Sequence, residues 1–276
     1  MMAYQASRKA KSQMRSCMFC LHHHILMSMQ RWQGKTAVIS GASAGIGAAI
    51  CVVLADAGMR VVGLARRPQL VDQLQSQVRG NGSIHSRRCD VSNSDDVAAT
   101  FKWIDEQFGN IHALVNNAGI FPKGHITEIG DNILSEETLM SVVDINLKGP
   151  VMCARHAVAS MKRASFDGHI ININSIAGHY VPFADMFNVY PGTKHAITAF
   201  TETLANELAY FNSKIKITSL SPGLVDTDMA PRVDGELSFA ALSPQDVAEA
   251  VLYVLSTPPH VNIKELTITP VSEKRL

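Results

Sequence analysis

No acidic residue occurs before Asp56, although Arg8, Lys9, Lys11 and Arg15 all fall in the first 30 positions. The chain also lacks any run approaching 18 unbroken apolar residues, which excludes a membrane-spanning helix as an organising element. Its net charge of +1 provides no field that would gather nucleic acid or an anionic membrane. A small-molecule partner is therefore expected, with no nucleic acid and no transmembrane segment. Five scattered cysteines in a chain of 276 residues exclude a disulfide scaffold and fit a reducing, cytoplasmic compartment.

The acid-free leader reads as a disordered basic extension over residues 1–30, ahead of one domain over residues 31–276. Its "CMFCLHHHILM" stretch, 17 to 27, pairs Cys17 and Cys20 with three histidines. Tetrahedral zinc would need a folded loop to present those ligands, so no metal is expected. The histidines break a signal-peptide core, whereas a basic leader without acids also suits mitochondrial import, an alternative to the cytoplasm. A start at Met27 or Met29 would remove the question.

A hydrophobic content of 46% is enough for a sizeable core in one domain. From Lys35 onward, short β-branched runs alternate with longer amphipathic ones, the pattern of a parallel sheet with helices on both faces. Strands are predicted at 36–40, 60–65, 84–89, 112–117, 169–175, 214–220 and 265–269. Helices are predicted at 46–58, 69–79, 94–108, 135–163, 189–211 and 244–256, with "SPQD" at 243 to 246 opening the last. The fold class expected is an α/β doubly wound, Rossmann-type sheet of seven parallel strands.

"SGASAGIGAAI", 40 to 50, follows the first strand and opens the first helix, so Gly41, Gly45 and Gly47 fall where backbone turns sharply beside a pyrophosphate. "NVYPGTKHA", 188 to 196, sets Tyr190 one helical turn before Lys194. An ammonium at i+4 stabilises a phenolate and turns tyrosine into a usable acid/base near neutrality. Pro191 costs little in a first turn, whose amides lack intrahelical partners. After the second strand, "LARRP" places Ala65 where an NAD-binding carboxylate is expected, and Arg66 and Arg67 offer donors for a 2′-phosphate. The cofactor predicted is NADP(H).

The glycine turn, "DV" at 90 to 91, "NNAG" at 116 to 119, Asn146, Ser175, "YPGTK" and "SPG" at 221 to 223 resemble, in order, the short-chain dehydrogenase/reductase family. The resemblance runs from Lys35 almost to the end of the chain. It implies a catalytic set of Asn146, Ser175, Tyr190 and Lys194, with Ser175 bonding the substrate oxygen and Asn146 linking the lysine through water to solvent. It also implies cofactor contacts from Gly41, Ser43, Ala44, Gly45, Ile46 and Gly47; from Asp90 and Val91; and from Asn117, Ala118 and Gly119. Further cofactor contacts are implied from Tyr190 and Lys194, and from Pro222, Gly223, Val225 and Thr227. Proline after the tyrosine is unusual for the family, and the Ser175 to Tyr190 interval of 15 residues is longer than usual.

Substrate-facing segments contain Phe121, Ile126, Val181, Phe183, Met186, Phe187, Leu224 and Met229, so a lipophilic cleft is expected, with Val181 and Phe183 on the substrate. The span from Thr227 to Pro244 is read as too short for an elaborate lid. At finer grain, "RWQGKTAVISGASAGIGAAI", "GLARR" and "VNIKELTITP" are similar to insect farnesol dehydrogenases and their vertebrate relatives within the family. That resemblance implies interconversion of a lipophilic alcohol with its aldehyde or ketone, and a homodimer or homotetramer. The alternative from another class is a catalytically inert NADPH-binding sensor. His125, His169, His179 and His195 read as solvated or structural.

Overall fold

The computed structural model describes residues 28–273; the Cys17–Cys20 reading lies outside them. Strands β1 (Thr36–Ser40), β2 (Arg60–Ala65), β3 (Ser83–Arg88), β4 (Ile111–Asn116), β5 (His169–Ile173), β6 (Lys216–Pro222) and β9 (Glu265–Ile268) form one sheet. Its order is β3-β2-β1-β4-β5-β6-β9, every neighbour parallel. Order reverses between β1 and β4, and a crevice opens there beyond the carboxyl ends of the strands. All seven predicted strands are present, displaced by at most about two residues.

Alternate strand residues face opposite layers, so the five inner strands have two largely dry sides, while the edge strands β3 and β9 stay partly exposed. Ala37 and Ile39 point toward α1 (Gly45–Asp56) and α7 (Pro244–Ser256), where Ile50, Leu54, Val251 and Leu255 are fully buried. Val38, Leu64 and Leu114 point the other way, onto α3 (Ser94–Phe108) and α5 (Gly149–Arg163), against Phe101, Ile104 and Met161. Each such aliphatic side chain contributes about 1.5–3 kcal/mol on burial. The predicted start at Ser243 holds: its hydroxyl and the Asp246 carboxylate form a reciprocal capping box, with Pro244 in the first turn.

The structure departs from the predicted elements in four places. The packed body begins ahead of residue 31, because Met29 and Trp32 are fully buried and the Trp32 indole donates to the Leu255 carbonyl at 2.9 Å. The helix predicted at 69–79 is a short α2 (Pro68–Asp72) running into a 3₁₀ turn, Gln73–Gln77. The chain leaves it to pass against the end of α1, where a Cβ on Gly80 would stand 2.1 Å from the Asp56 carbonyl. The helix predicted at 135–163 is α4 (Glu136–Val143) joined to α5 through a π-helical turn, Asp144–Lys148. The Thr227 to Pro244 span adds a two-stranded antiparallel hairpin, β7 (Arg232–Val233) with β8 (Glu236–Leu237).

Candidate active site

Beyond β1 the chain turns at Gly41, whose φ of +67° is unfavourable for any side chain and whose added Cβ would lie 2.8 Å from the Ala118 Cα. Gly47 is excluded from carrying a side chain on space alone, since its Cβ would meet the Gly41 carbonyl at 2.3 Å. Asn117 braces this turn: its Nδ2 donates to the Ser40 carbonyl at 2.9 Å and to the Gly41 carbonyl at 3.2 Å. The hydroxyl of Ser40 accepts the Asn117 and Ala118 amides, both at 3.0 Å. Ala44 at the N-cap of α1 has no side chain to offer the first amides. Those donors and the positive end of the helix face a cavity of about 1110 Å³.

That cavity brings together almost the whole predicted cofactor set. Gly41, Ser43, Ala44, Gly45 and Ile46 line it, as do exposed Arg66 and Arg67, Asp90 and Val91, and Asn117 to Gly119. Pro222, Gly223, Val225 and Thr227 line it from beyond β6, and a Cβ on Gly45 would stand 3.1 Å from the Thr227 methyl. Gly47 sits behind the wall as a packing residue. Asp90 accepts from the Ser92 hydroxyl at 2.7 Å, which, with the nearby Arg66 charge, holds its carboxyl below the ordinary range. The glycine cradle, the uncapped start of α1 and the paired guanidinium groups fit a phosphorylated dinucleotide.

Ser175, Tyr190 and Lys194 also line the cavity. Ser175 follows β5, where its hydroxyl accepts the Ala177 amide at 3.1 Å. Tyr190 opens α6 (Tyr190–Tyr210), and Pro191 is accommodated in its first turn as expected. The ring of Phe121 lies 4.6 Å from the Tyr190 ring and 5.2 Å from that of Phe187, making an aromatic wall.

The electrostatics differ from the predicted priming. Burial pushes the Tyr190 phenol up to about 12, opposed by hydrogen bonding with Ser175, and pushes the Lys194 ammonium down to about 8. Lys194 Nζ donates to the Ile173 carbonyl at 2.9 Å and lies 5.7 Å from the centre of the Tyr190 ring. Loss of hydration at both groups sets these directions, and at Tyr190 it outweighs the Ser175 hydrogen bond that favours the phenolate.

Asn146 is only 2% exposed and stands behind the cavity, on the π-helical turn. Its hydrogen bonds go to Ile120 and to Thr193 Oγ1, the latter at 3.4 Å, rather than to Lys194.

On the substrate side Phe121, Met186, Phe187, Leu224 and Met229 form the wall, but Val181 and Phe183 do not. Val181 is 67% and Phe183 99% exposed, the chain bending tightly at Phe183 with the Ala184 amide on the Pro182 carbonyl at 3.0 Å, and Tyr180 and Pro182 line the cavity instead. Ile126 is likewise outside the wall and half exposed. Phe239, Ala240, Ser272 and Glu273 also line the cavity, from segments that carry no recognisable motif. Glu273 reaches back from beyond β9 to accept the Leu224 amide at 3.2 Å. Of the four histidines, His169 is fully buried against Thr218, and His125 meets Asp185 at 3.2 Å. Among the described residues no three His, Cys, Asp or Glu side chains gather as metal ligands.

Comparison with known proteins agrees with this arrangement. The profile of the family described as short chain dehydrogenase matches residues 35–237. Farnesol dehydrogenase of Aedes aegypti is 48% identical over 248 residues, covering 89% of this chain and 100% of that protein. Dehydrogenase/reductase SDR family member 11 of Mus musculus is 37% identical over 260 residues, covering 89% and 97%. An alcohol dehydrogenase from Thermococcus sibiricus complexed with 5-hydroxy-NADP superposes with a TM-score of 0.74 at 27% identity, covering 88% of this chain and 99% of that one. The closed form of serine dehydrogenase complexed with NADP+ gives 0.76 at 30% identity, covering 87% and 96%. Fold, glycine turn and sequence relationship together make this chain an oxidoreductase of the short-chain dehydrogenase family, whose members use NAD(P)(H).

Proposed function

We propose that this chain is an NADP(H)-dependent oxidoreductase interconverting a lipophilic alcohol, farnesol-like or a hydroxysteroid, with its aldehyde or ketone. The observation that carries the reading is one cavity holding Ser175 and Tyr190, the Arg66–Arg67 pair and the Phe121–Phe187 wall. A nicotinamide cofactor bound here would supply hydride chemistry at the substrate carbon. Tyr190 exchanges the accompanying proton at the substrate oxygen, and Ser175 donates a hydrogen bond to that oxygen. With its phenol pushed up to about 12, Tyr190 holds its proton at neutral pH, the form that can donate to a carbonyl oxygen. Lys194 anchors the helix face beside it through Ile173, and Asn146 secures the loop after β4. Arg66, with Arg67, would hold the 2′-phosphate, and the amides at the start of α1 would hold the pyrophosphate.

The 48% identity to the farnesol dehydrogenase of Aedes aegypti supports farnesol as the first substrate to try. Free, buried Cys51, Cys89 and Cys153 support a reducing cytoplasmic location, and exposed Tyr210 and Phe211 at the end of α6 support a homodimer or homotetramer. The test is turnover of farnesol and of a ketosteroid with NADP(H) and NAD(H), comparing parent protein with Tyr190→Phe. Turnover that falls at least about 100-fold in the variant is expected. An equally active Tyr190→Phe enzyme rejects the mechanism, and turnover of neither substrate class rejects the substrate reading.

A further inference from the structure

The segment between Ser175 and Tyr190 ends on a residue committed in both backbone and side chain. Asn188 holds a φ of +46°, in the left-handed region where asparagine is enriched. Its Nδ2 donates to the Pro122 carbonyl at 2.6 Å and to the Met186 carbonyl at 3.3 Å, and its Oδ1 accepts the Tyr190 amide at 3.2 Å. Pro122 lies in the loop after β4, Met186 in the loop after β5, and Tyr190 opens α6. A single carboxamide therefore joins both walls of the cavity to the residue between them.

The start of α6 gains a second partner from Asn188, since the Tyr190 amide also donates to the Phe187 carbonyl at 3.2 Å. First-turn amides have no intrahelical acceptor, and Val189 at the N-cap has no side-chain oxygen to supply one. Asn188 does so from one position earlier, as an Asx-type turn. The two loops meet again where the Gly124 amide donates to the Met186 carbonyl at 3.4 Å, and where Phe121 packs against both Phe187 and Tyr190.

We infer that Asn188 is a positioning residue for Tyr190: its carboxamide fixes the first turn of α6 against the loop after β4. The substrate-side walls thereby set the place of the phenol together with the helix. A misplacement of about 1 Å at a reacting group costs on the order of 100-fold in rate. The inference rests on Tyr190 as the proton-exchanging group.

The test compares Asn188→Gly, which keeps the left-handed backbone without the side chain, with Asn188→Asp, which keeps the Oδ1 acceptor and loses the donor to Pro122. Tyr190→Phe is the control. Three quantities are measured: NADPH affinity by fluorescence titration, kcat and KM with farnesol, and hydrogen exchange at the Tyr190 and Gly124 amides. For Asn188→Gly the expected result is NADPH affinity within about twofold of the parent, kcat at least about tenfold lower, and faster exchange at both amides. Asn188→Asp should lose kcat as well, and it supplies the same readings if the glycine variant does not fold. Parental kcat, unchanged exchange, or cofactor affinity falling in step with kcat would each overturn the inference. A fully active Tyr190→Phe enzyme would instead reject the proposed function, while the exchange data would still decide whether Asn188 ties the two segments.

Discussion

Asn146 and Ile120 are joined twice: Asn146 Oδ1 accepts the Ile120 amide at 2.8 Å, and Asn146 Nδ2 donates back to the Ile120 carbonyl at 2.9 Å. This reciprocal pair ties the π-helical turn to the chain directly beyond Gly119 and holds the adjoining Phe121 beside the phenol. Asn146→Leu would leave both Ile120 groups without partners, at a cost of roughly 2–4 kcal/mol. The expected loss in melting temperature is on the order of 5–10 °C, read by thermal unfolding, accompanied by a fall in kcat.

Arg66 and Arg67 face the cavity with no carboxylate at Ala65 beside them. Replacing Arg66 by Asp should weaken NADPH binding about 10- to 100-fold, since hydrogen bonds to charged groups contribute roughly 1.5–3 kcal/mol, and change NADH binding far less. Fluorescence titration with both cofactors distinguishes this from a general loss, in which both would weaken alike.

Lys194 gives a pH dependence whose sign is fixed. Its folded value, about 8, lies below the ordinary 10.5, so above 8 the unfolded chain binds more of this proton than the folded one. Stability from this group therefore rises with pH between about 8 and 10.5, and below 8 the full penalty for burying the ammonium is present. Relative to Lys194→Met, the parent should gain on the order of 3 kcal/mol across that window. Denaturant midpoints of both proteins at about pH 7.5, 9 and 11, conditions chosen to bracket the window, measure it; a constant difference would contradict the depressed value.

Gly47 and Gly192 should answer oppositely to alanine. Gly47→Ala drives a methyl into the Gly41 carbonyl and should abolish cofactor binding with a large loss of stability. A Cβ on Gly192 meets nothing within 4 Å, and its place in α6 means that alanine should add up to about 1 kcal/mol. Thermal unfolding of the pair reads both directions.

Much of this was legible in the chain because local chemistry and tertiary need agree. Each β-branched run had only one element it could form, and Gly41 and Gly47 stand where no Cβ fits. Legibility failed where neighbours decide. Met29 resembles its flanking leader until α7 offers Trp32 a carbonyl to bond. Val181 and Phe183 are apolar beside a cleft, yet the bend between Pro182 and Ala184 leaves them facing outward. The Tyr190–Lys194 spacing fixes which face the pair shares, but the depth at which that face lies decides whether charge or desolvation wins. Asn188 carries no motif, because its importance is created by contacts more than 60 positions apart in the chain.

The π-helical turn at Asp144–Lys148 also constrains length. An extra residue in a regular helix would rotate everything downstream by about 100°, more than a quarter of a revolution, and the π-helical turn absorbs it without that rotation. Ahead of it Val142 is turned inward; after it Cys153, Ala157 and Met161 are. Deleting a single residue there would restore an unbroken α-helix with both halves still in phase with the sheet, so the length of this stretch is held instead by the Asn146–Ile120 pair, which the shorter turn would pull apart.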